Sequence, residues 1–445
     1  MIKPIKRICN WHEPEVIVKR LIQEWGEAGL VWLDGDSSKL GKWATIGIDP
    51  IKEMSCRGLP KNNNSNNPFE VLRNLPSGHW TGWLSYEAGA WLDSHTLWKE
   101  DSMATLWVVS HDPVLKFDLQ NQKLYIEGLD KTRLENVIRL IDKIETKKST
   151  SITTPTLLEL NHFEIPIDSW QWLTSRDDYA SQVDFIKELI NKGDIFQANL
   201  TACCKTKLNQ KISPINIFSR LRNISCAPFS GLIIGRNSTA DEAIMSASPE
   251  RFLKVSATGD VESRPIKGTR PRNKNQSIDA AMAASLITSP KDRAENIMIV
   301  DLIRNDLGKV CESGSIKVSK LVGLESYMNV HHLTSVVEGH LDKNKTWVDL
   351  LEASWPGGSI TGTPKLRACQ RLAELEPIAR GPYCGSLFRV NWDGSFDSNI
   401  LIRTILLKSS YLRAYAGCGI VAESNANDEI EELKWKLMPI LSGLK

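Results

Sequence analysis

Apolar residues recur along this chain with two periods, one near 3.6 and one near 2, in irregular succession. Residues 178–192 carry Tyr179, Val183, Ile186 and Leu189 or Ile190 at helical spacing, and Gly193 supplies the stop. The next segment, 195–201, alternates. Phe196, Ala198 and Leu200 fall on one face of a predicted strand, and Gln197, Asn199 and Thr201 on the other, as in a strand with one solvated face. Residues 106–109, 114–119 and 123–126, rich in tryptophan and aliphatic side chains, also read as strands. Residues 252–255 and 261–266 flank Thr258-Gly259-Asp260 and predict a hairpin that delivers Lys267 at the end of its second strand. Pro290 suits a first helical turn, and 291–309 predicts a helix apolar nearly all round (Ile297, Met298, Ile299, Val300, Leu302, Ile303, Leu307), hence buried. A last helix is predicted over 427–438. Short strands and helices mixed without regular βαβ alternation give an α+β fold class.

Two polar stretches interrupt this pattern. Residues 61–68 (KNNNSNNP) read as a low-complexity loop, and 147–155 (KKSTSITTP) is poor in large apolar residues and ends in proline. The second places a domain boundary near residue 150, with an N-terminal α+β domain over 1–150 and a second domain over 165–445. With 445 residues, 41% hydrophobic and 24% charged, the chain can bury a large core across two or three domains. The first fifteen residues hold no apolar run of signal-peptide length, and no later segment approaches the ~20 apolar residues of a membrane span, so a cytoplasmic location is expected. A net charge of +2 is too balanced for a protein that works by neutralising nucleic-acid phosphates. Nine cysteines with no CxxC suggest neither a disulfide framework nor a zinc knuckle, and no HExxH surrounds the adjacent His331 and His332. A bound metal would be an oxygen-liganded one.

Several segments carry candidate chemistry. In Arg264-Pro265-Ile266-Lys267-Gly268-Thr269, proline fixes the backbone before one amine and glycine lets the chain turn closely after it. Arg264 and Arg270 lie three residues to either side, and cationic neighbours favour the neutral, nucleophilic form of an amine. The plainer alternative is a surface lysine in a basic turn with Arg270, Arg272 and Lys274. Glu295 shares a helix face with Met298, Ile299 and Leu302, so its carboxylate needs a cation: a distant arginine, or a Mg²⁺ ion. Residues 356–365 (PGGSITGTPK) form a glycine-rich loop opening a helix, with Thr363 as N-cap and Pro364 at N1. Such a terminus attracts anions, although Thr363 stands where a phosphate-binding loop needs lysine. Gly417 and Gly419 are either an amide nest for a carboxylate or a tight turn between strands. Glu432 and Lys436 are an i, i+4 pair which, taken alone, reads as a surface salt bridge.

Taken together, these residues resemble the chorismate-utilising enzymes. The resemblance rests on GDIFQANLT (193–201), SPERF (248–252), RPIKGT (264–269), DRAEN with IVDLIRNDLG (292–308), HHL (331–333), PGGSITGTPK (356–365), IRT (402–404) and AGCGIV (416–421), in family order. It covers nearly all of 170–445, whereas the N-terminal third matches loosely. The implied fold has large antiparallel sheets stacked between helical layers, with the active site in a cleft of the chorismate-binding catalytic domain. The implied Mg²⁺ ligands are Glu295 and Glu432, the metal binding the ring carboxylate of chorismate. Tyr383, Arg403, Lys436 and the amides of Gly417, Cys418 and Gly419 would hold the two substrate carboxylates, with Ser359 lining the same pocket. His332 would lie near the departing C4 hydroxyl, and Glu250 would act as acid or base.

Isochorismate-forming members of the family carry a lysine base where this chain has Gln197, and an amide cannot deprotonate water. Anthranilate-forming members carry alanine where this chain has Lys267. The resemblance thus implies the branch that converts chorismate and ammonia to 4-amino-4-deoxychorismate, the precursor of p-aminobenzoate and folate, with Lys267 as covalent nucleophile. No glutaminase nucleophile elbow is legible, so ammonia is expected from a separate glutamine amidotransferase subunit. The alternatives are the anthranilate-forming branch and a non-catalytic chorismate-binding homologue.

Overall fold

A computed structural model of the chain describes residues 3–60, 65–146, 163–327 and 330–445. Two antiparallel sheets dominate it. The first runs Ile5–Cys9, Lys123–Gly128, Val114–Asp118, Trp43–Gly47, Val31–Asp34, Phe229–Ile234, Glu242–Ser248, Thr404–Lys408, Tyr411–Ile420, Gln197–Lys207 and Gly362–Thr363, with Gln171–Trp172 also pairing Gln197–Lys207. The second runs Ile266–Pro271, Val330–His340, Asp260–Ser263, Arg251–Val255, Phe396–Asn399, Ser386–Val390, Trp80–Leu84, Leu106–Ser110 and Lys52–Cys56, with Lys317–Ser326 also pairing Val330–His340. The α+β expectation holds.

The sheets stack because their strands are apolar on both faces. In Phe229–Ile234, Leu232 and Ile234 point to one core and Ile233 to the other, as the two-residue period of a strand requires. The outer core lies between the first sheet and the helices Pro14–Trp25, Arg176–Asn191, Pro214–Ile224 and Ala426–Ser442. The inner core joins the facing sides of both sheets and reaches the helices Pro290–Gly308 and Trp347–Ser354. The expected boundary near residue 150 lies outside the described residues. Both sheets nevertheless cross from one part of the chain to the other, since Val31–Asp34 pairs with Phe229–Ile234, and Trp80–Leu84 with Ser386–Val390. The two parts therefore do not fold around separate cores: each supplies strands whose edges the other must cover.

The helix predicted over 178–192 is observed as Arg176–Asn191, capped by Ser175 on the amide of Asp178. The helix after Pro290 forms as Pro290–Gly308 under a Ser289 cap, but it is not buried all round. Asn296, Ile299, Val300, Ile303 and Leu307 face inward while Ile297 is 40% exposed, because only one side of this helix has a sheet to cover it. The last helix runs further than expected, Ala426–Ser442, and includes Pro439. The polar side of Gln197–Lys207 is not solvated either: Gln197, Asn199 and Thr201 are all buried. The 258–260 turn forms with Gly259 at φ +95°, but the second strand ends at Ser263 and a separate strand, Ile266–Pro271, carries Lys267.

Trp83 and Trp107 are cross-strand partners in the second sheet, stacked at 5.0 Å and fully buried, and Trp83 Nε1 donates to the Ala104 carbonyl at 3.0 Å. Trp83→Ala removes the stack and one of the two hydrogen bonds to that carbonyl, which keeps Ser85 Oγ at 2.8 Å. A loss of about 3–5 kcal/mol in unfolding free energy is expected, read from the urea midpoint.

Candidate active site

A cavity of about 500 Å³ lies where the two sheets and two helices converge. Its floor is Gln197–Lys207 and Tyr411–Ile420 of the first sheet. Its walls are the Lys267 strand, the helices Pro290–Gly308 and Ala426–Ser442, and the glycine-rich loop. Lys267, Glu250, His332, Tyr383, Arg403, Gly417, Gly419, Lys436, Ser359, Glu295 and Glu432 all line it, so residues spread over 187 positions of sequence meet in one space. Cys418 is the exception. Its side chain points into the outer core, where its thiol, pushed up to about 12 by burial, donates to the Glu429 carbonyl.

Lys267 reaches the cavity through a local irregularity. The pairing of Ile266–Pro271 with Val330–His340 slips by one residue between Lys267 and Thr269, and Gly268 at the slip has φ +78°. A Cβ on Gly268 would sit 2.8 Å from Leu286 and 2.9 Å from Asp292, so the position needs glycine for conformation and for space. Lys267 Nζ donates to the Ser359 carbonyl at 3.1 Å. The flanking arginines do not crowd it as expected. Arg264 binds Glu325 at 2.6 Å and Arg270 binds Asp292 at 3.1 Å, each drawn off by a carboxylate across the sheet or helix contact. The charges felt from Lys267 are instead those of Glu250, Glu295 and Glu432.

Glu250 is 5% exposed, and burial pushes its carboxyl up to about 7, against the opposing pull of a hydrogen bond from Ser359 and the charge of Lys267. It can therefore hold or release a proton near neutrality. His332 is held neutral, its ring lowered to about 3 first by burial and then by the Arg403 charge. Its Nδ1 lies 2.8 Å from Thr269 Oγ1, which fixes the ring.

The glycine-rich loop differs from the expected helix cap. Thr363 sits in the short strand Gly362–Thr363, paired to Gln197–Ala198, and the helix begins at Lys365 with Pro364 in the cap position. Thr363 Oγ1 makes no hydrogen bond and so caps nothing. The loop's glycines serve packing, since a Cβ on Gly358 would lie 2.5 Å from Leu302 of the helix below. Gly417 and Gly419 likewise form neither a nest nor a turn, but lie in the extended strand Tyr411–Ile420. Asn199 and Thr201 direct their amides away from this strand, to Thr361 and Glu376, so antiparallel alternation bonds Leu200 to Cys418 in the ladder. The Cys418 amide is thereby used. The amides of Gly417 and Gly419 point the other way, beyond the last pair with Thr404–Lys408.

Acidic groups concentrate on the wall made by the two helices. Burial pushes the Glu295 carboxyl up, opposed by Lys267 and Lys291 and reinforced by Asp292 and Glu432. Burial also acts on Glu432, but Lys436, at 2.7 Å, with Lys291 and Lys267, brings it below the ordinary range. The surface-pair reading of Glu432–Lys436 is thus half right, since the pair exists but lines the cavity, with Lys436 also donating to the Gly417 carbonyl at 2.8 Å. Glu429, one turn earlier, has a donor atom within 4.8 Å of those of Glu432 and Cys418. The neutral thiol suits no hard cation, and Glu429 accepts from Ser424 at 2.7 Å. Two neighbouring carboxylates, with Glu432 raising the proton affinity of Glu295 and oxygen donors only, fit a divalent ion such as Mg²⁺.

Arg403 stands apart from every other arginine on the cavity wall. It occupies φ +51°, its guanidinium is shifted down by burial, and no hydrogen bond or ion pair holds its side chain among the described residues. Tyr383 stacks on Tyr415 at 4.9 Å beside it. Such a pair suits an anion with an apolar ring. Asn199, Thr269, Lys291, Asp292, Tyr415 and Trp435 also line the cavity without having been given a role in sequence, and Arg270 was read only as a charged neighbour of Lys267; Asn199, Thr269 and Asp292 lie within the motif blocks, which was their signal.

The sequence matches the family described as chorismate binding enzyme over residues 31–442. An anthranilate synthase component I-like protein of Synechocystis is 36% identical over 85% of this chain and 76% of its own length. Aminodeoxychorismate synthase component 1 of Klebsiella aerogenes is 41% identical over 62% of this chain, and the match spans 60% of that protein. The crystal structure of anthranilate synthase component I from Streptococcus pneumoniae superposes with a TM-score of 0.73 at 25% identity, over 90% of this chain and 92% of that one.

The burial of Glu250 has a measurable consequence. The folded chain retains a proton that the unfolded chain releases near 4.5, so stability falls as the pH rises from about 4.5 to about 7 and stays lower above. Glu250→Gln carries no such proton. It is expected to gain up to about 3 kcal/mol on the wild type between pH 4 and pH 8, at roughly 1.4 kcal/mol per pKa unit, read from urea midpoints at both values. A difference that does not change with pH would show that Glu250 ionises in the ordinary range.

Proposed function

The chain belongs to the chorismate-binding enzyme family, and on that premise we propose that it aminates chorismate at C4, giving 4-amino-4-deoxychorismate for p-aminobenzoate and folate. The observation that carries this reading is the amine of Lys267. It lines the cavity, its hydrogen bond goes to a backbone carbonyl rather than to a carboxylate, and Glu250 beside it can exchange a proton near neutrality.

Glu250, as carboxylate, takes a proton from Lys267, and the free amine attacks C2 of the ring. The C1=C2 pair moves to C1=C6, the C5=C6 pair moves to C4=C5, and the C4–O bond breaks. Glu250 returns its proton to the departing hydroxide, which leaves as water, with neutral His332 as hydrogen-bonding neighbour. Ammonia then attacks C4, the double bonds return, the C2–N bond to Lys267 breaks, and the released amine takes the proton from the incoming nitrogen. Chorismate plus ammonia gives product plus water, and the lysine is regenerated.

Arg403, Tyr383 and the outward amides of Gly417 and Gly419 hold the substrate carboxylates. Lys436, with two of its three N–H groups engaged by Glu432 and Gly417, contributes its charge and one remaining donor. Mg²⁺ held by Glu295 and Glu432 would neutralise and orient the ring carboxylate. The ammonia is supplied by a separate glutamine amidotransferase subunit. A second reading, direct attack of ammonia at C2 to give anthranilate, is favoured by the name of the Synechocystis relative.

Product analysis separates the two. Wild type with chorismate, Mg²⁺ and ammonium is expected to yield the para-amino product, and trapping is expected to find a chorismate-derived mass on Lys267. Lys267→Ala should lose the para-amino product, with residual turnover moving to the ortho position. Para-amino product at the wild-type rate from this variant would remove Lys267 from the mechanism.

The acidic wall gives its own expectation. Glu295→Gln and Glu432→Gln each keep side-chain shape but remove a charge from a site that needs anionic ligands, so each should abolish turnover while circular dichroism stays unchanged. Near-normal activity of Glu432→Gln would leave it as half of a structural ion pair.

A further inference from the structure

If Lys267 is the nucleophile, something must hold its amine in line with the ring. Its hydrogen bond is to Ser359 O, in the short turn Gly358–Ile360. The next carbonyl of that turn, Ile360 O, accepts Arg380 Nη1 at 2.8 Å. Arg380 is 1% exposed and does not line the cavity. Its Nη2 donates to Asn199 O at 2.8 Å on the floor strand, while Nε and Nη2 hold both oxygens of Glu376 at 2.8 and 2.7 Å. The guanidinium also lies 4.5 Å from the centre of the Tyr86 ring. A planar fork of donors thus spans one carboxylate and two carbonyls, each carbonyl belonging to a different cavity-lining segment.

We propose that Arg380 is a positioning residue for Lys267. It clamps the turn that presents Ser359 O against the strand that carries Asn199, and so sets the height of the amine above the cavity floor. Among the described residues Arg403, the outward glycine amides and the acidic wall make no hydrogen bond with it, while Tyr383, three residues on, feels its charge. This inference rests on the reading of Lys267 given above. A lysine at 380 keeps a charge opposite Glu376 but has no planar fork with which to reach both carbonyls.

The test compares wild type, Arg380→Lys, and the double variant Arg380→Met/Glu376→Leu, in which no buried charge is left unpaired and folding is therefore protected. Two quantities are read: the dissociation constant for chorismate by calorimetry, and the rate at which intact-mass spectra gain the chorismate-derived adduct at saturating chorismate without ammonia. Chorismate affinity is expected to stay within about threefold, and adduct formation to slow by about tenfold or more, in every variant that folds, since small misplacements of a reacting group cost rate rather than binding. Adduct formation at the wild-type rate overturns the inference. So does a parallel loss of affinity and rate, which marks a merely structural residue. Absence of adduct on the wild type refutes the nucleophile itself, and this inference falls with it; adduct on wild type and variants alike refutes the positioning role alone.

Discussion

The arrangement depends first on one buried ion pair, Arg380 with Glu376. Burying two charges gives little net stability by itself, because each loses its hydration; the pair is tolerable only when every donor and acceptor is satisfied. Here they are. Glu376 accepts from the Thr201 amide and hydroxyl as well as from Arg380, and Arg380 uses its remaining reach on Asn199 and Ile360. The backbone at 380 and 381 is in turn held by Glu87 Oε1, and the Glu376 carbonyl by Lys99. Residues from the first hundred positions thereby fix a cavity whose lining comes entirely from the later part of the chain. Removing either charge alone would strand the other at a cost of about 3–5 kcal/mol.

The same logic of compensation organises the cavity. Carboxylates at Glu250, Glu295 and Glu432 stand among Lys267, Lys291 and Lys436, and most of the arginines nearby have acidic partners of their own. Arg403 does not. The proposed substrate, a dianionic ring compound, would supply what this balance lacks, bringing negative charge to Arg403 and to two outward-facing glycine amides, and a proposed oxygen-liganded cation would relieve the acidic wall. Burial makes these charges effective, because a partly desolvated group responds strongly to each neighbour, and that is why Glu250 titrates near neutrality and His332 stays uncharged. No helix among the described residues is long and apolar enough to cross a membrane.

Local backbone devices turn this electrostatic plan into geometry. The bulge at Gly268 aims Lys267 inward, and the packing glycine at 358 lets the loop lie against the helix Pro290–Gly308. Gly417 and Gly419 keep the floor clear: a Cβ at 419 would lie 2.6 Å from Gln197 Nε2 and 3.7 Å from Glu295 Oε2. These glycines matter for what they leave out.

Much of this was legible in the chain itself. Period-two and period-3.6 patterns gave the strands at 106–126 and the helices at 176–191 and 290–308, because burial on one side leaves its mark in residue order. The motif blocks named the lining residues, since each is a short run whose chemistry is local. What the sequence could not show was which face met which. Glu432 with Lys436 looks like any solvated i, i+4 pair until the fold places it inside a cavity, and the polar side of Gln197–Lys207 looks solvated until a glycine-rich loop covers it. Cys418 reads as part of an anion site, but strand alternation turns its thiol into the core and its amide into the ladder. Arg264 and Arg270 are neighbours of Lys267 in sequence yet bind Glu325 and Asp292 in space. Arg380 carried no signal at all. Sequence order determines periodicity and local chemistry; long-range pairing decides burial, and burial decides charge.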